Sequence, residues 1–311
     1  RLGMEVELEE FYHGAGQLSW YGAVFHCLVL GVSFVASMYV WHLILPKVAA
    51  LGRDHPRVIK LRIISAVVIS LLASCYVSWI VGLPSHASGS LLEISCRTAA
   101  SLLLTVIAFA GPLLLVHYLV QDRIAERVKW NARRSAARLG PPPAPMTALE
   151  TLHEYLAFLG YDWDLVIARN CVAAPVAEEV VFRGQMVPLL LAGGFSAYGA
   201  MWCAPLFFGL AHVHHAVHSV LYEGLPVARA VAQSAFQFSF TTIFGWYSAF
   251  LYIRTGTIVA PIVAHAFCNF LGFPPFGHVG SHPKRNILIA TILGGMVAFF
   301  LLMFPLTTPW L

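Results

Sequence analysis

Charged residues are scarce in this chain: aspartate, glutamate, lysine and arginine make up only 11% of its 311 residues. Hydrophobic residues make up 59%, and the mean hydropathy is +0.74. A soluble protein of this length forms an ordinary core with far less apolar content. The apolar residues also cluster in stretches of about 20, the length that a helix needs to cross a bilayer. The composition therefore excludes an ordinary soluble domain and predicts a polytopic membrane protein.

Several motifs that would indicate other functions are also missing. No basic tract with interleaved aromatic residues is present, so the net charge of +4 does not indicate a nucleic-acid partner. The six cysteines form no C-x-x-C motif and mostly fall inside apolar segments, which predicts small buried hydrophobic residues rather than a disulfide framework. A cysteine nucleophile stays open for Cys171 and Cys268, which lie near the polar residues described below.

Eight apolar segments predict the fold class. A membrane span must satisfy its own backbone hydrogen bonds, so each segment is predicted to be a helix. We therefore expect an all-α membrane protein of about eight transmembrane helices, with a polar catalytic cavity open to the cytosolic leaflet. The segments are 19–44, 62–84, 97–120, 163–192, 197–213, 227–252, 256–273 and 286–305.

The sequence GPPPAP divides a chain that we expect to form one integral membrane domain over residues 1–311. Residues 1–146 contain the first three predicted helices and a basic, Pro-rich linker. Residues 147–311 contain the helices with the predicted catalytic motifs. A short amphipathic helix at the membrane surface is predicted to begin this second part, because Thr147 and Glu150 have the spacing of a capping box.

Lysine and arginine residues cluster in three of the predicted loops. An eight-helix count puts these loops on one side of the membrane, and the positive-inside rule makes that side the cytosol. The polar residues described next then lie toward the cytosolic leaflet. The basic residues of the three loops are Lys47, Arg53, Arg57, Lys60 and Arg62; Arg123, Arg127, Lys129, Arg133, Arg134 and Arg138; and Lys284 and Arg285.

Three of the apolar segments carry polar residues that share a helical face. A carboxylate at hydrocarbon depth costs a few kcal/mol on insertion scales, so intramembrane ionisable residues indicate a functional site. Two adjacent glutamates, Glu178 and Glu179, stand in the fourth segment. Residues four apart lie on one helical face, and three such pairs occur: Glu179 with Arg183, Phe208 with His212, and His265 with Asn269.

These residue types can hydrolyse an amide without a covalent intermediate. A carboxylate in a dry site suits a general base near neutral pH. Glu178 could therefore take a proton from water while His212 orients that water or shares the proton. His265 and Asn269 could donate hydrogen bonds to a developing oxyanion. We predict that these four residues are catalytic.

Glu179, Arg183 and Phe208 are predicted to support this site. An ion pair between Glu179 and Arg183 could tune the neighbouring acid or could be purely structural. Two other functions stay open from the residues alone. The glutamates and histidines could ligate zinc or iron, although no H-E-x-x-H motif is present and Arg183 would oppose a cation. A non-enzymatic scaffold or transporter could use the same residues to bind a solute.

The sixth apolar segment is dense in aromatic residues. Such a helix can pack in a core or face lipid, and it can also form one wall of a site for a lipid-like ligand. The candidate ligand-binding residues in this segment are Phe236, Phe240, Phe244 and Trp246.

The runs EEVVFR, FFGLAH and HAFCN resemble the motifs of the CAAX prenyl endopeptidase family. A closer resemblance to its eukaryotic Ras-converting branch extends through the longer runs PLFFGLAHVHH, AFQFSFTTIFGWYSAFLYIRTG and PLTTPWL. The family pattern is E-E-x-x-x-R, then F-x-x-x-H, then H-x-x-x-N or D, on separate helices. The sequence matches this pattern without departure. The resemblance is close over residues 171–311, whereas residues 1–150 match mainly in their apolar pattern.

The resemblance implies an enzyme that removes the last three residues of farnesylated or geranylgeranylated CAAX proteins, such as Ras-type small GTPases. It implies a glutamate-dependent mechanism with no cofactor and no metal, in which Glu178 and His212 activate water. In the same mechanism, His265 and Asn269 form the oxyanion hole. It further implies a multi-pass protein of the endoplasmic reticulum membrane, whose active site is reached from the cytosolic side of the bilayer.

Overall fold

A computed structural model of the protein describes residues 18–49, 51–82, 90–137, 146–160, 165–222 and 224–307. Within these ranges the regular secondary structure is entirely helical. The predicted all-α class is therefore confirmed. The Pro-rich linker predicted around residues 140–145 lies outside the described ranges, and the division into two parts stays a prediction.

The helices are numbered in chain order. A single turn, Pro46–Ala49, follows the first helix, and a short 3₁₀ turn, Phe276–His278, precedes the last one. The helix α6, which starts at Leu165, is composite and is described separately below. The others are α1 Trp20–Ile44, α2 Pro56–Val81, α3 Leu91–Ala108, α4 Ala110–Ala137, α5 Ala148–Phe158, α7 Ala197–Ala211, α8 His214–Tyr222, α9 Val227–Thr255, α10 Val259–Leu271 and α11 Arg285–Thr307.

Four of these helices are long and apolar enough to cross a membrane: α1, α2, α3 and α11. The helix α10 is also apolar but shorter. The side chains on the outer faces are largely aliphatic and aromatic, as expected of surfaces that contact lipid. The class of multi-pass membrane protein is therefore confirmed, whereas the number of eight spans stays a prediction.

The third predicted segment, 97–120, is not one continuous helix. It is divided at Phe109, whose φ of −93° and ψ of 9° lie outside the α-helical region, so α3 and α4 are separate helices. The break lies where α11 crosses closely. A Cβ atom added to Gly111 would lie 2.7 Å from the Cα atom of Ile292. Glycine at this position therefore lets the two backbones approach each other.

The composite helix α6 is the centre of the fold. Its residues 185–192 are all buried, and they pack against α1, α2 and α7. Two stretches have π-helical hydrogen bonding, a feature that is frequent at functional sites. The five consecutive pieces are Leu165–Ala168 (α), Arg169–Ala173 (π), Ala174–Glu179 (α), Val180–Gln185 (π) and Met186–Ala192 (α).

Two glycines bring α7 and α9 close together beside α6. A Cβ atom at Gly209 would lie 2.3 Å from Thr242 Oγ1, and one at Gly245 would lie 2.7 Å from Pro205 Cβ. Side chains larger than hydrogen would separate the helices at both points. This contact holds the C-terminal end of α7, where His212 is the capping residue, beside the other polar residues.

The predicted surface helix is present as α5. Thr147 Oγ1 accepts a hydrogen bond from Glu150 N, and the Glu150 carboxylate accepts one from Thr147 N, so the capping box is formed. Further along the helix, the buried carboxylate of Glu154 is paired with Arg123 and Arg127 of α4. These ion pairs attach α5 to the charged end of α4.

Candidate active site

Burial distinguishes the two adjacent glutamates of α6. The side chain of Glu178 is 19% exposed and lies on the wall of a large cavity, whereas that of Glu179 is fully buried. Consecutive residues of a helix point about 100° apart around its axis. One carboxylate can therefore meet a ligand in the cavity while its neighbour packs between helices.

The buried carboxylate of Glu179 is held by partners from three helices. Arg183 Nη1 lies 3.2 Å from its Oε1 atom, and His265 Nδ1 lies 2.7 Å from the same oxygen. Ser248 Oγ donates to Oε2 over 2.5 Å. A buried charge is tolerated when it is paired and hydrogen-bonded in this way. Glu179 therefore joins α6, α9 and α10 at one point.

The guanidinium of Arg183 is also fully buried. Its Cζ atom lies 4.4 Å above the ring of Phe208, a cation–π distance. Its Nε and Nη2 atoms have no hydrogen-bond partner among the described residues. A Cβ atom at Gly245 would lie 3.0 Å from Nη2, so the glycine leaves room for this side chain. The predicted Glu179–Arg183 pair is thus present, and its guanidinium also contacts the ring of Phe208.

The imidazole of His265 lies between the two glutamates. Its Nδ1 atom faces Glu179, and its Nε2 atom lies 3.7 Å from Glu178 Oε2. Because an ionised carboxylate only accepts hydrogen bonds, Nδ1 is the donor to Glu179. The ring also packs against Phe244, with 4.8 Å between centroids. Its orientation is therefore set both by a hydrogen bond and by an aromatic contact.

The tautomer of His212 follows from its hydrogen bond. Its Nδ1 atom lies 2.8 Å from the main-chain oxygen of Phe208, and a carbonyl oxygen can only accept. The proton is therefore on Nδ1, and Nε2 of the neutral ring carries a lone pair. The ring packs edge-on against that of Phe208, with 4.7 Å between centroids, and lines the cavity.

Asn269 donates a hydrogen bond that the backbone of α6 does not supply. In the first π segment, the N–H of Ala174 donates to the carbonyl of Arg169. The next carbonyl, that of Asn170, would pair in this register with residue 175, which is a proline without an N–H. Asn269 Nδ2 donates to Asn170 O over 2.9 Å instead. The Asn269 side chain of α10 therefore satisfies a carbonyl that the irregular helix α6 leaves without a backbone donor.

The cavity has a volume of about 1250 Å³. All four residues predicted to be catalytic are on its wall: Glu178, His212, His265 and Asn269. The wall is otherwise largely aromatic and aliphatic. It also contains a polar part, formed by residues of α1, α2, the loop before α2, and α8. A long apolar ligand with a polar end fits a cavity of this kind.

The aromatic residues of the sixth segment, which belong to α9, are placed differently from one another. Phe240, Phe244 and Trp246 line the cavity. Phe236 does not line it and packs instead against Phe240 and Phe273, with centroid distances of 5.5 and 5.3 Å. Three of the four candidate ligand-binding residues are therefore in position to contact a ligand in the cavity.

Sequence reasoning missed two residues that contribute to the site. Ser248 is one small polar residue in a long aromatic helix, and nothing in its local pattern distinguishes it from a serine that bonds to its own backbone. Asn170 contributes through its main chain, so its side-chain type carries no signal. The signal that could have found it is Pro175, because a proline inside a helix leaves an earlier carbonyl without its usual partner.

The fold and the site define a multi-pass membrane protein with a buried glutamate and histidine centre on a large apolar cavity. The chain belongs to the CAAX prenyl protease 2 family. Residues 162–271 match the family model described as type II CAAX prenyl endopeptidase Rce1-like. The human CAAX prenyl protease 2 is 38% identical over 306 residues, which are 95% of this chain and 84% of the relative. The Arabidopsis thaliana relative of the same name is 30% identical over 92% of this chain and 90% of its own length. No solved structure shows a significant match.

Proposed function

We propose that the protein is an endopeptidase that removes the C-terminal tripeptide from prenylated CAAX proteins such as Ras-type small GTPases. The relatives that cover nearly the whole chain are named CAAX prenyl proteases. The observation that carries the proposal is the placement of Glu178. Its carboxylate is on the wall of a cavity within apolar helices, beside His212, His265 and Asn269.

Glu178 is the proposed general base. As water attacks the scissile carbonyl carbon, the water proton passes to the Glu178 carboxylate, and the carbonyl oxygen becomes an oxyanion. His212 supports the same step through Nε2, whose lone pair accepts a hydrogen bond and so orients the water. The hydrogen bond from Nδ1 to Phe208 O fixes the ring in the tautomer that this role requires.

His265 and Asn269 are the proposed donors to the oxyanion. His265 already donates from Nδ1 to Glu179, so donation from Nε2 requires the doubly protonated ring. Two carboxylates flank this ring, Glu179 at 2.7 Å from Nδ1 and Glu178 at 3.7 Å from Nε2. The amide of Asn269 carries two N–H groups, and one of them is engaged with Asn170 O.

Collapse of the tetrahedral intermediate completes the hydrolysis. The C–N bond breaks, and the proton held by Glu178 passes to the leaving amine. The products are a protein that ends in a prenylated cysteine carboxylate and a free tripeptide, so one water is consumed. Glu179 and Arg183 touch no reacting atom in this scheme, and their proposed role is to position His265 and α6.

The substrate is proposed to reach this site in the endoplasmic reticulum membrane, from the cytosolic side. The loop charges support that orientation by the positive-inside rule. The apolar part of the cavity, with Phe240, Phe244 and Trp246, is the proposed binding region for the isoprenoid. Burial of each CH₂ group contributes about 0.8 kcal/mol, so a prenyl chain supplies much of the binding free energy.

The test is turnover of a prenylated CAAX peptide by the purified full chain in detergent. The wild type should release the tripeptide, and Glu178→Gln should abolish release, because the amide keeps the shape but cannot accept the proton. The Glu178→Gln protein should still bind the prenylated peptide. Near-normal release by this variant would disprove the general-base role. Binding without any release by the wild type would instead favour the non-enzymatic scaffold or transporter.

A further inference from the structure

Two arginines line the same cavity as Glu178. Arg53 lies in the loop before α2, and Arg62 lies on α2 itself. Among the described residues, no acidic side chain forms an ion pair with either of them. The neighbouring acid, Asp54, is directed to Arg169, with 2.8 Å between Oδ1 and Nη1. Both arginines therefore line the cavity without an ion-pair partner among the described residues.

Arg62 is the more constrained of the two. Its Nε atom is buried and has no hydrogen-bond partner among the described residues. Its Cζ atom lies 5.8 Å from the ring centroid of Tyr39, which covers one face of the group. An ionisable residue on a helix of membrane-spanning length is costly and indicates a functional site. No ion pair among the described residues offsets this cost, and the Asp54 carboxylate acts on Arg62 only as a neighbouring charge.

The surroundings of the two arginines contain more positive than negative groups. Burial lowers the pKa of Arg53, and the neighbouring Arg169 guanidinium lowers this pKa further, whereas the Asp54 and Glu178 carboxylates act in the opposite direction. Burial also lowers the pKa of His214 to about 4 and that of His215 to about 3, so both rings are neutral at physiological pH. The nearby arginines contribute to both shifts. The field at this end of the cavity therefore favours an anion.

Two contacts between α2 and α6 show that Arg62 lies at a depth close to that of Glu178. The helix α2 runs parallel to α6, because Asp54 meets Arg169 near one end and Ser74 Oγ accepts from Gln185 Nε2 further along, over 3.1 Å. Glu178 and Arg62 both lie between these contacts. With a rise of 1.5 Å per residue, the two differ in depth by no more than about 8 Å.

We propose that Arg53 and Arg62 bind the free C-terminal carboxylate of the substrate. This inference rests on the proposed function, in which the scissile bond lies three residues before the C-terminus. An extended tripeptide spans about 10 Å, which is long enough to cover the difference in depth of no more than about 8 Å between Glu178 and Arg62. Guanidinium groups bind carboxylates through charge-assisted, often bidentate hydrogen bonds. The arginines thereby set the distance from the chain end at which cleavage occurs.

The first test uses the unaltered protein and two prenylated peptides of the same sequence. One ends in a free carboxylate and the other in a carboxamide, which has the same shape without the charge. A hydrogen bond to a charged group corresponds to about a 10- to 100-fold difference in kcat/KM, and we expect this difference to arise mainly from KM. Equal kcat/KM values for the two peptides would overturn the inference.

The second test assigns the preference to the two arginines. Arg53→Gln and Arg62→Gln should each reduce the ratio between the acid and the amide, and the double variant should bring it to about 1. Arg62→Lys should retain part of the preference, because it keeps the charge but not the bidentate geometry. The matched control is Arg57→Gln. This variant removes the same charge from an exposed position of α2 that does not line the cavity, and its ratio should stay that of the wild type.

Failure of this inference can be told apart from failure of the proposed function. Variants that lose activity equally on both peptides, with an unchanged ratio, would show that the arginines serve folding or a lipid headgroup, and the carboxylate site would be rejected. Cleavage of both peptides at the tripeptide boundary would still support the endopeptidase. If the wild type cleaves neither peptide, the proposed function itself fails, and this inference falls with it.

Discussion

The side-chain amide of Asn269 donates to the main-chain oxygen of Asn170 over 2.9 Å, although the two residues are 99 positions apart. The contact exists because a π turn and Pro175 together leave that carbonyl without its usual helical partner. An oxyanion donor must be held rigidly before the reaction occurs. The bond to Asn170 therefore couples the irregular shape of α6 to the position of the proposed donor on α10.

The first prediction concerns this amide. Asn269→Ala should reduce kcat by about 10²-fold, the order observed for the loss of one oxyanion donor, with a smaller change in KM. Steady-state kinetics with a prenylated peptide would measure this variant. A change confined to KM would contradict the assigned role.

Ser248 provides a stability prediction. Its hydroxyl donates to the buried carboxylate of Glu179, so Ser248→Ala leaves one carboxylate oxygen without that donor. Hydrogen bonds to charged groups contribute about 1.5–3 kcal/mol, and the free energy of unfolding should fall by about this amount. Thermal unfolding of the purified protein in detergent would measure the change.

The matched control for this prediction is Ser239→Ala on the same helix. The Ser239 hydroxyl is exposed and bonds to the carbonyl of Ala235, one turn earlier. Its loss should change the unfolding free energy by no more than about 0.5 kcal/mol. Equal destabilisation by the two variants would mean that the contact between Ser248 and Glu179 contributes nothing specific.

Recognition of the isoprenoid leads to the third prediction. A prenylated peptide should be cleaved with a much higher kcat/KM than the unmodified peptide in detergent, where simple concentration on a membrane no longer contributes. Trp246→Ala should reduce this preference, because Trp246 lines the cavity. Phe236→Ala is the aromatic control, since Phe236 belongs to the same helix but does not line it. Equal kcat/KM values for the two peptides with the wild type would exclude recognition of the isoprenoid.

The zinc hypothesis is addressed by the fourth prediction. Among the described residues, no group of three His, Cys, Asp or Glu side chains is arranged to hold a metal ion. We expect purified, active protein to contain far less than one transition-metal ion per chain on elemental analysis. A content of about one zinc per chain, removed by a chelator with a matching loss of activity, would instead support a metalloprotease. Inhibition by added zinc would not count, because exposed histidines bind it nonspecifically.

The local patterns of the sequence predicted much of this molecule correctly. Long apolar stretches predicted membrane helices, since the thickness of the bilayer sets a minimum length that is visible in one chain. The capping box of Thr147 and Glu150 was predicted for a similar reason, because all its atoms come from residues four positions or fewer apart. The pairing of Glu179 with Arg183 also follows from a local spacing.

Other features arise from contacts between distant segments, which no local pattern contains. The division of the third segment at Phe109 accompanies the close crossing of Gly111 and Ile292, which lie on different helices. Which glutamate faces the cavity (Glu178) and which faces the interior (Glu179) depends on the π segments of α6. These segments shift the helical register, so a period of 3.6 residues does not predict which carboxylate is buried.

The positions of Arg53 and Arg62 in the cavity also depend on contacts between distant segments. In the sequence, Arg53 and Arg62 are two of many basic residues in the predicted loops, where the loop charge predicts only the orientation of the chain in the membrane. Their place in the cavity of Glu178 depends on the parallel packing of α2 against α6, over 100 residues away in the chain. Charge and spacing along one segment cannot encode that packing, because it is decided by which side chains fit together between segments.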